Sequence, residues 1–240
     1  MLRKFILLAL LALGMVFQTS PVPLRALELG PAGLAPAALP AGNTAIQPVA
    51  RADFNRDGSP ESLLLAGGRL TILARGQSAW KSPVAWTVIQ AAITDLNHDG
   101  IPEATVLVWR LFRPWPVDQW LPYGGRIADF HDAAGDSCQI ILIGWRGSEY
   151  GELWAGSPMA EPVQSFAVAG LNPGRSQELV TIEGRYSDAR SAPGRAIKVW
   201  DWNGFGFTVV STIQGTFDKM VLVQARDGRN LILVSAGIPR

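Results

Sequence analysis

Oxygen-bearing side chains recur at a fixed spacing in two short stretches, TDLNHDGIPEATVLV (residues 94 to 108) and ADFNRDGSPESLLL (residues 52 to 65). Each stretch has Asp, Asn and Asp at alternate positions, then Gly, and a Glu four residues after the second Asp. The first copy has Asp53, Asn55, Asp57, Gly58 and Glu61, and the second has Asp95, Asn97, Asp99, Gly100 and Glu103. Such side chains can converge on one hard cation, and Gly permits the sharp turn that this requires.

The loop differs from an EF-hand, which closes with a bidentate Glu at position 12. Here position 12 is Leu64 or Val106, and the closing acid stands at position 9. Strand-type residues follow at once, so the pattern predicts a calcium loop between two β-strands. The alternative is an Asx-rich turn that binds nothing, because Asp, Asn and Gly favour turns anyway. Carboxylates crowded into nine residues repel one another unless a cation lies between them, which favours calcium.

Three weaker copies of the same pattern follow along the chain. They are DAAGDSCQIILIGW (132 to 145), GLNPGRSQE (170 to 178) and ARDGRNLILV (225 to 234). The position of the closing Glu then falls at residues 61, 103, 139, 178 and 230, and an apolar run follows each. Units of about 40 residues that cannot bury their apolar faces alone predict an all-β fold, a β-propeller of about five four-stranded blades. An N-terminal strand near residues 45 to 49 is expected to complete the last blade.

These loops resemble the FG-GAP or VCBS repeats of integrin-α-type β-propellers, over roughly residues 44 to 240. The resemblance implies two structural Ca²⁺ sites, with the Ser59 and Ile101 carbonyls as further ligands. The implied ligands are Asp53, Asn55, Asp57, Ser59 and Glu61 in the first site and Asp95, Asn97, Asp99, Ile101 and Glu103 in the second. No metal is expected in the copy with Gly170 and Gly174 in place of both acids, nor in the middle copy. His98 is expected to face solvent.

The N-terminus indicates export. Arg3 and Lys4 precede an apolar run from residue 5 to 17, which is typical of a signal peptide and too short for a full membrane span. Residues 1–26 are interpreted as the signal, with cleavage near Ala26 or Ala37 or retention as an anchor left open. Residues 27–43 are predicted to be a linker rich in Pro, Ala and Gly, and residues 44–240 the propeller. The protein is expected to be secreted, periplasmic or on the cell surface.

Composition restricts the function classes. The net charge is +1, and no basic stripe of the kind that binds nucleic acid is seen in the sequence. The single cysteine, Cys138, excludes an internal disulfide. No nucleophile elbow, P-loop, dinucleotide-binding or paired-Cys metal motif occurs. The Trp-rich segment WRLFRPWPVDQWLP offers a possible partner surface of Trp109, Arg113, Trp115 and Trp120. The alternative is that these Trp residues pack between blades.

The sequence therefore predicts a monomeric, calcium-stabilised propeller that acts as a non-enzymatic binding or scaffold module for protein or carbohydrate. The alternative is a propeller enzyme such as a glycan hydrolase, with two carboxylates facing one cleft of the central channel. An enzyme should gather acids at one end of that channel. A binding module should expose aromatic side chains at its rim instead.

Overall fold

The fold is all-β. A computed structural model describes residues 24–113, 130–171 and 176–236, and this part of the chain contains sixteen strands and no helix. The strands form three sheets in which every described pair is antiparallel. Among the described residues, no helix is long and apolar enough to span a membrane.

Two of the sheets have four strands each. The first sheet consists of β4 (Arg51–Ala52), β5 (Glu61–Ala66), β6 (Arg69–Ala74) and β7 (Gln77–Lys81), in that order. The second consists of β8 (Trp86–Thr94), β9 (Glu103–Leu111), β10 (Asp136–Trp145) and β11 (Tyr150–Ala155), also in chain order. Both are meanders of neighbouring strands, which keeps their connections short.

The third sheet has eight strands and joins both ends of the described chain. Its C-terminal strands are β12 (Val163–Ala169), β13 (Glu178–Glu183), β14 (Gly194–Trp202), β15 (Phe207–Ala225) and β16 (Asn230–Ala236). Its N-terminal strands are β1 (Leu24–Gly30), β2 (Gly33–Ala37) and β3 (Asn43–Ala45). The first part of β15 pairs with β14, and its last part pairs with β16 and β3. One long strand thus belongs to two successive groups of strands.

Successive groups of strands pack face to face. Val106 and Val108 of β9 pack in a core shared with Leu70 and Ile72 of the first sheet. Leu107, on the opposite face of β9, packs in a second core with residues of β12 and β13. A third core lies between β13, β14 and the β15–β16–β1 group. Since β9 is covered on both faces, its sequence is a continuous apolar run rather than an alternating one.

The predicted linker is wrong, because residues 27–43 include most of β1, all of β2 and the start of β3. Leu27 is 2% exposed and pairs with Ile232 of β16. Cleavage after Ala26 would cut β1 within this pairing, and cleavage after Ala37 would remove both β1 and β2. The Pro- and Ala-rich composition is compatible with strands here because β2, which contains Pro36, is the edge strand of the sheet.

The count of five units is not confirmed. Gln139, the third of the five marks, lies inside β10 and pairs with Val108 of β9, so it belongs to the second sheet rather than to a unit of its own. The remaining four marks each begin a strand: β5, β9, β13 and β16. The N-terminal strand expected near residues 45 to 49 has a counterpart in β3, which pairs with β15. Most of the N-terminal contribution comes from β1 and β2, further upstream.

Candidate functional site

The two acidic loops occupy equivalent positions in the fold. Residues 53–60 connect β4 to β5, and residues 95–102 connect β8 to β9. In the second loop, Thr94 pairs with Glu103 directly across the hairpin. The connection from β12 to β13 is the third such hairpin, where Ala169 pairs with Glu178. The prediction of loops between paired strands is therefore confirmed.

The backbone of both acidic loops turns at the same two positions. Gly58 and Gly100, at position 6, have φ of 80° and 74°, as the predicted sharp turn requires. Arg56 and His98, at position 4, also have positive φ, 59° and 60°. The spacing of the acids did not predict this second left-handed residue, although His is one of the non-glycine residues that adopt this conformation more often than most. Two loops of different sequence thus adopt one backbone path.

The acidic side chains turn towards the backbone of their own loops. Asp53 accepts hydrogen bonds from the N–H groups of Asp57 and Gly58, at 3.1 and 2.8 Å. Asp57 Oδ1 accepts one from Ser59 at 2.8 Å. The second loop repeats this arrangement, with Gly100 donating to Asp95 and Ile101 donating to Asp99. These contacts tie the carboxylates of positions 1 and 5 to the backbone of their own loop.

The closing glutamate ties the loop together in all three hairpins. Its carboxylate accepts a hydrogen bond from the backbone N–H of loop position 2. The pairs are Phe54 with Glu61 at 2.7 Å, Leu96 with Glu103 at 2.8 Å, and Leu171 with Glu178 at 2.7 Å. All three glutamates and all three position-2 side chains are buried. The third hairpin keeps this bond although Gly170 stands at its first acidic position, so closing the loop does not depend on the acids.

Each acidic loop also has a buried carboxylate oxygen without a partner among the described residues. These atoms are Oε1 of Glu61 and Oε2 of Glu103. Burial, reinforced by Asp95 and Asp99, raises the pKa of Glu103 to about 7 despite the hydrogen bonds from Thr94 and Leu96. A buried anion with an unused oxygen is costly unless a proton or a cation compensates it.

The first loop contacts the second sheet and carries a competing cation. Asn55 Nδ2 lies 3.3 Å from the hydroxyl of Tyr150, at the start of β11. Burial raises the pKa of Tyr150 above its ordinary value, and a side-chain hydrogen bond with Glu61 and the charges of Glu61, Asp57 and Asp53 raise it further. Arg75 reaches across from the β6–β7 turn and forms an ion pair with Asp57 Oδ2 at 3.1 Å.

The second loop docks on the third hairpin instead. The N–H of Asp95 donates to Gln177 Oε1 at 2.9 Å, and the His98 ring contacts the Gln177 carbonyl and the Ser176 hydroxyl. The prediction that His98 faces solvent is therefore wrong: its ring is half-buried and bridges two loops. The left-handed backbone at His98 accompanies this contact.

The two loops offer the ligand types that calcium takes, but their oxygens are not gathered around one point. Across the described ranges, no group of three or more His, Cys, Asp or Glu side chains is arranged to hold a metal ion. Asp57 Oδ2 contacts Asn55 Nδ2 and Arg75, and Asp99 Oδ2 contacts Asn97 Nδ2. These contacts must break for the position-5 carboxylates to reach a cation. The unused glutamate oxygens are the feature that fits a cation best.

The predicted partner surface is only partly tested. The prediction is wrong for Trp109, which is 6% exposed. Its ring packs edge to face on Tyr186 and lies under the Arg190 guanidinium. Arg113 is exposed, as predicted. Trp115 and Trp120 lie outside the described residues. The packing interpretation therefore holds for the one Trp of this set that the structure describes.

A cavity of about 660 Å³ lies among β8, β12, β15 and the segment 44–49. Its described lining is uncharged and includes Gln90, Phe166, Gln177 and Asn230. Gln90 is fully engaged, since its amide forms hydrogen bonds with both the N–H and the carbonyl of Phe166. Asn230, which stands where the other loops have Glu, donates to the Gly170 carbonyl of the preceding hairpin.

No family model matches the chain, and no curated protein matches it significantly. A comparison with solved structures finds the crystal structure of BBS1N in complex with ARL6DN, soaked with lead. The match covers 78% of this chain and 66% of that chain, which is just under two thirds of its length, at 13% identity and a TM-score of 0.27. So loose a superposition indicates neither a family nor a partner.

Proposed function

We propose that the protein is an exported, calcium-stabilised binding module whose two acidic loops each hold one Ca²⁺. The observation that carries this proposal is the repeated buried glutamate, Glu61 and Glu103, each with one oxygen closing its loop and the other without a partner among the described residues. A cation at these oxygens would offset the cost of burying the two charges. The positive charge of Ca²⁺ would hold together the oxygen ligands at loop positions 1, 3, 5 and 9. The role of the ion would be structural.

The fold that we propose is a β-propeller with FG-GAP or VCBS-like repeats. Face-to-face packing of successive strand groups, each with a full or partial copy of the acidic pattern in the hairpin between its first two strands, supports this assignment. Four such hairpins, before Glu61, Glu103, Glu178 and Asn230, favour four repeats rather than five. The N-terminal strands β1 and β2 complete the last group beside β16. Joining the two ends of the chain in this way would close a ring and protect its strand edges.

Thermal unfolding of the full chain, in EDTA and across a Ca²⁺ titration, tests the calcium assignment. With a dissociation constant of about 10⁻⁴ M and about 1 mM Ca²⁺, each site contributes about 1.4 kcal/mol. Two sites should raise the melting temperature by roughly 5 to 10 °C in a domain of this size. The double variant Asp57→Ala/Asp99→Ala should lose this rise.

The matched control is Asp218→Ala, which removes an exposed carboxylate of β15 outside both loops. It should keep the full response to Ca²⁺. A melting temperature that is the same in EDTA and in saturating Ca²⁺ would overturn the calcium assignment and leave the loops as Asx turns.

An enzyme with paired carboxylates in a central channel is the alternative function. It predicts acids in the cavity among β8, β12 and β15, whereas the described residues that line this cavity are uncharged. For this reason we put the binding module forward. Release of reducing sugar from a panel of polysaccharides, at a rate that depends on protein concentration, would favour the enzyme instead.

A further inference from the structure

A second pocket, of about 350 Å³, lies against the second sheet beside the ends of β9 and β11. Its lining includes Trp86, Arg110, Leu111, Arg113, Gln139 and Pro158. The pocket is separate from both acidic loops and from the cavity among β8, β12 and β15. Its volume falls within the range of about 300 to 1,000 Å³ that is common for small-ligand sites.

The positive charge of this pocket has no ion-pair partner in the described part of the chain. Arg110 is half-buried, with its guanidinium 5.4 Å from the centre of the Trp86 ring, and Arg113 lines the same pocket. Burial lowers the pKa of Arg110. The charge of Glu152, which forms no ion pair with Arg110, opposes this shift, and the like charge of Arg113 adds to it. A half-buried guanidinium without an ion-pair partner is costly, and an anion in the pocket would reduce that cost.

A hydrogen-bond acceptor lies beside this charge. Gln139 is 4% exposed, and its Oε1 has no donor among the described residues, while its Nε2 donates to Ser137. The backbone of Arg110 is tied to β10, because its carbonyl accepts a hydrogen bond from the Ser137 hydroxyl. The pocket therefore combines two cationic donors, one unsatisfied acceptor and apolar walls from Leu111 and Pro158.

We propose that this pocket binds a hexuronate, the carboxylate-bearing sugar of an acidic glycan. The sugar carboxylate would pair with Arg110 and Arg113, a hydroxyl would donate to Gln139, and the C–H face of the ring would lie against the apolar wall. A glutamate side chain supplies the carboxylate but has no hydroxyl beside it to donate to Gln139. The proposal rests on the binding-module function above and names the class of its ligand.

Calorimetric titration of the full chain with D-glucuronate tests the proposal. D-Glucose, sodium sulfate and poly-L-glutamate are titrated in parallel, each in Ca²⁺ and in EDTA. Glucuronate should bind in both buffers, and the other three probes should bind at least tenfold more weakly. Arg110→Gln and Arg113→Gln should each weaken glucuronate binding about tenfold or more, and Gln139→Leu should weaken it several-fold.

Arg146→Gln is the matched control, since Arg146 is an exposed arginine in the turn between β10 and β11, outside the pocket. It should leave binding unchanged. Melting curves identify any variant that fails to fold, and Arg113→Gln, which changes an exposed side chain after β9, keeps the test decisive if Arg110→Gln is unstable.

Three outcomes would overturn the proposal: no glucuronate binding, equal binding of sulfate or poly-L-glutamate, or binding that EDTA abolishes. Without glucuronate binding, the proposed ligand is wrong. Equal binding of sulfate or poly-L-glutamate would indicate a general anion site or an acidic-peptide site, and loss of binding in EDTA would place the sugar at the calcium loops. The melting response to Ca²⁺, recorded on the same samples, shows separately whether the calcium assignment has failed.

Discussion

Glu61, Glu103 and Glu178 each bind the backbone N–H at position 2 of their own loop. This contact gives the glutamate of the third hairpin a structural role although that hairpin has Gly170 at its first acidic position. The signal was present in the sequence, since GLNPGRSQE keeps its last residue while Gly occupies the first acidic position. Spacing alone predicted no metal in this copy and gave its glutamate no role. It could not reveal a buried backbone donor.

Glu178→Ala should destabilise the protein in the presence or absence of calcium. The substitution leaves the Leu171 N–H buried without its acceptor, which costs about 1 to 3 kcal/mol. Urea unfolding in EDTA measures the difference. Glu178→Gln keeps an acceptor oxygen and should lose less. If both variants lose the same free energy, the N–H contact is not what stabilises this hairpin.

Arg75→Gln should tighten Ca²⁺ binding at the first loop. Arg75 pairs with Asp57, so a cation at that loop must displace the guanidinium. The pair is exposed and worth less than about 1 kcal/mol, which limits the gain to a few-fold in affinity. The Ca²⁺ midpoint is best measured in the background Asp99→Ala, where only the first loop binds. Arg51→Gln is the control, and a weaker midpoint in Arg75→Gln would contradict the expected competition.

The elements were predicted well where the apolar pattern was strong. The strands after the loops, β5, β9 and β13, begin at the predicted glutamates because turn residues followed by apolar runs mark a strand unambiguously. Residues 27–43 were missed because Pro, Ala and Gly also describe a linker, and their strands exist only through pairing with β16, far away in sequence. The prediction that Gln139 begins a repeat unit was wrong for a related reason. In sequence, the apolar run of a strand inside a meander cannot be distinguished from that of a strand that begins a sheet.

Leu27→Ala should reduce stability by about 2 to 5 kcal/mol, as expected for a buried leucine. Leu27 is 2% exposed and packs in the core formed by β13, β14, β15 and β16. Leu24→Ala, three residues earlier in β1, is the control, because Leu24 is 53% exposed. Urea unfolding of both variants measures the contrast. Equal small effects would show that residues 27–43 are the linker first predicted.

At the scale of the whole molecule, one arginine connects two sheets. Arg190 lies between β13 and β14, packs on Trp109 of β9 at 3.9 Å and binds Asp132 and Asp136 at the start of β10. This set of contacts could not be predicted, because its members come from segments that only the fold brings together. It also explains why Trp109 is buried rather than available to a partner.

Asp132→Asn should make the protein less sensitive to acid. Burial alone would raise the pKa of Asp132, but hydrogen bonds from Arg190 and from the N–H groups of Asp136 and Ala134 hold it below the ordinary 3.8. With the folded pKa depressed, the stabilisation is present above about pH 4 and is lost as the pH falls through the folded pKa. Urea midpoints between pH 2.5 and 7 should fall less steeply below pH 4 in the variant than in the parent.

The expected variant is also somewhat less stable at pH 7, because it loses the charge of the pair. Asp218→Asn, an exposed acid of β15 without a described partner, should follow the parent curve. A variant as acid-sensitive as the parent would show that Asp132 does not contribute to the pH dependence.

The pairing of β1 with β16 sets the order in which the protein can be completed. Leu24 and Arg25 face Ser235 and Val234 across the sheet, so the first described strand finds its neighbour only after β16 has been synthesised. Until then β1 and β2 have an open edge, and the final group of strands stays unfinished during translation. The final group of strands therefore closes only after residues 230–236 have been synthesised, and any binding that depends on this group begins only then.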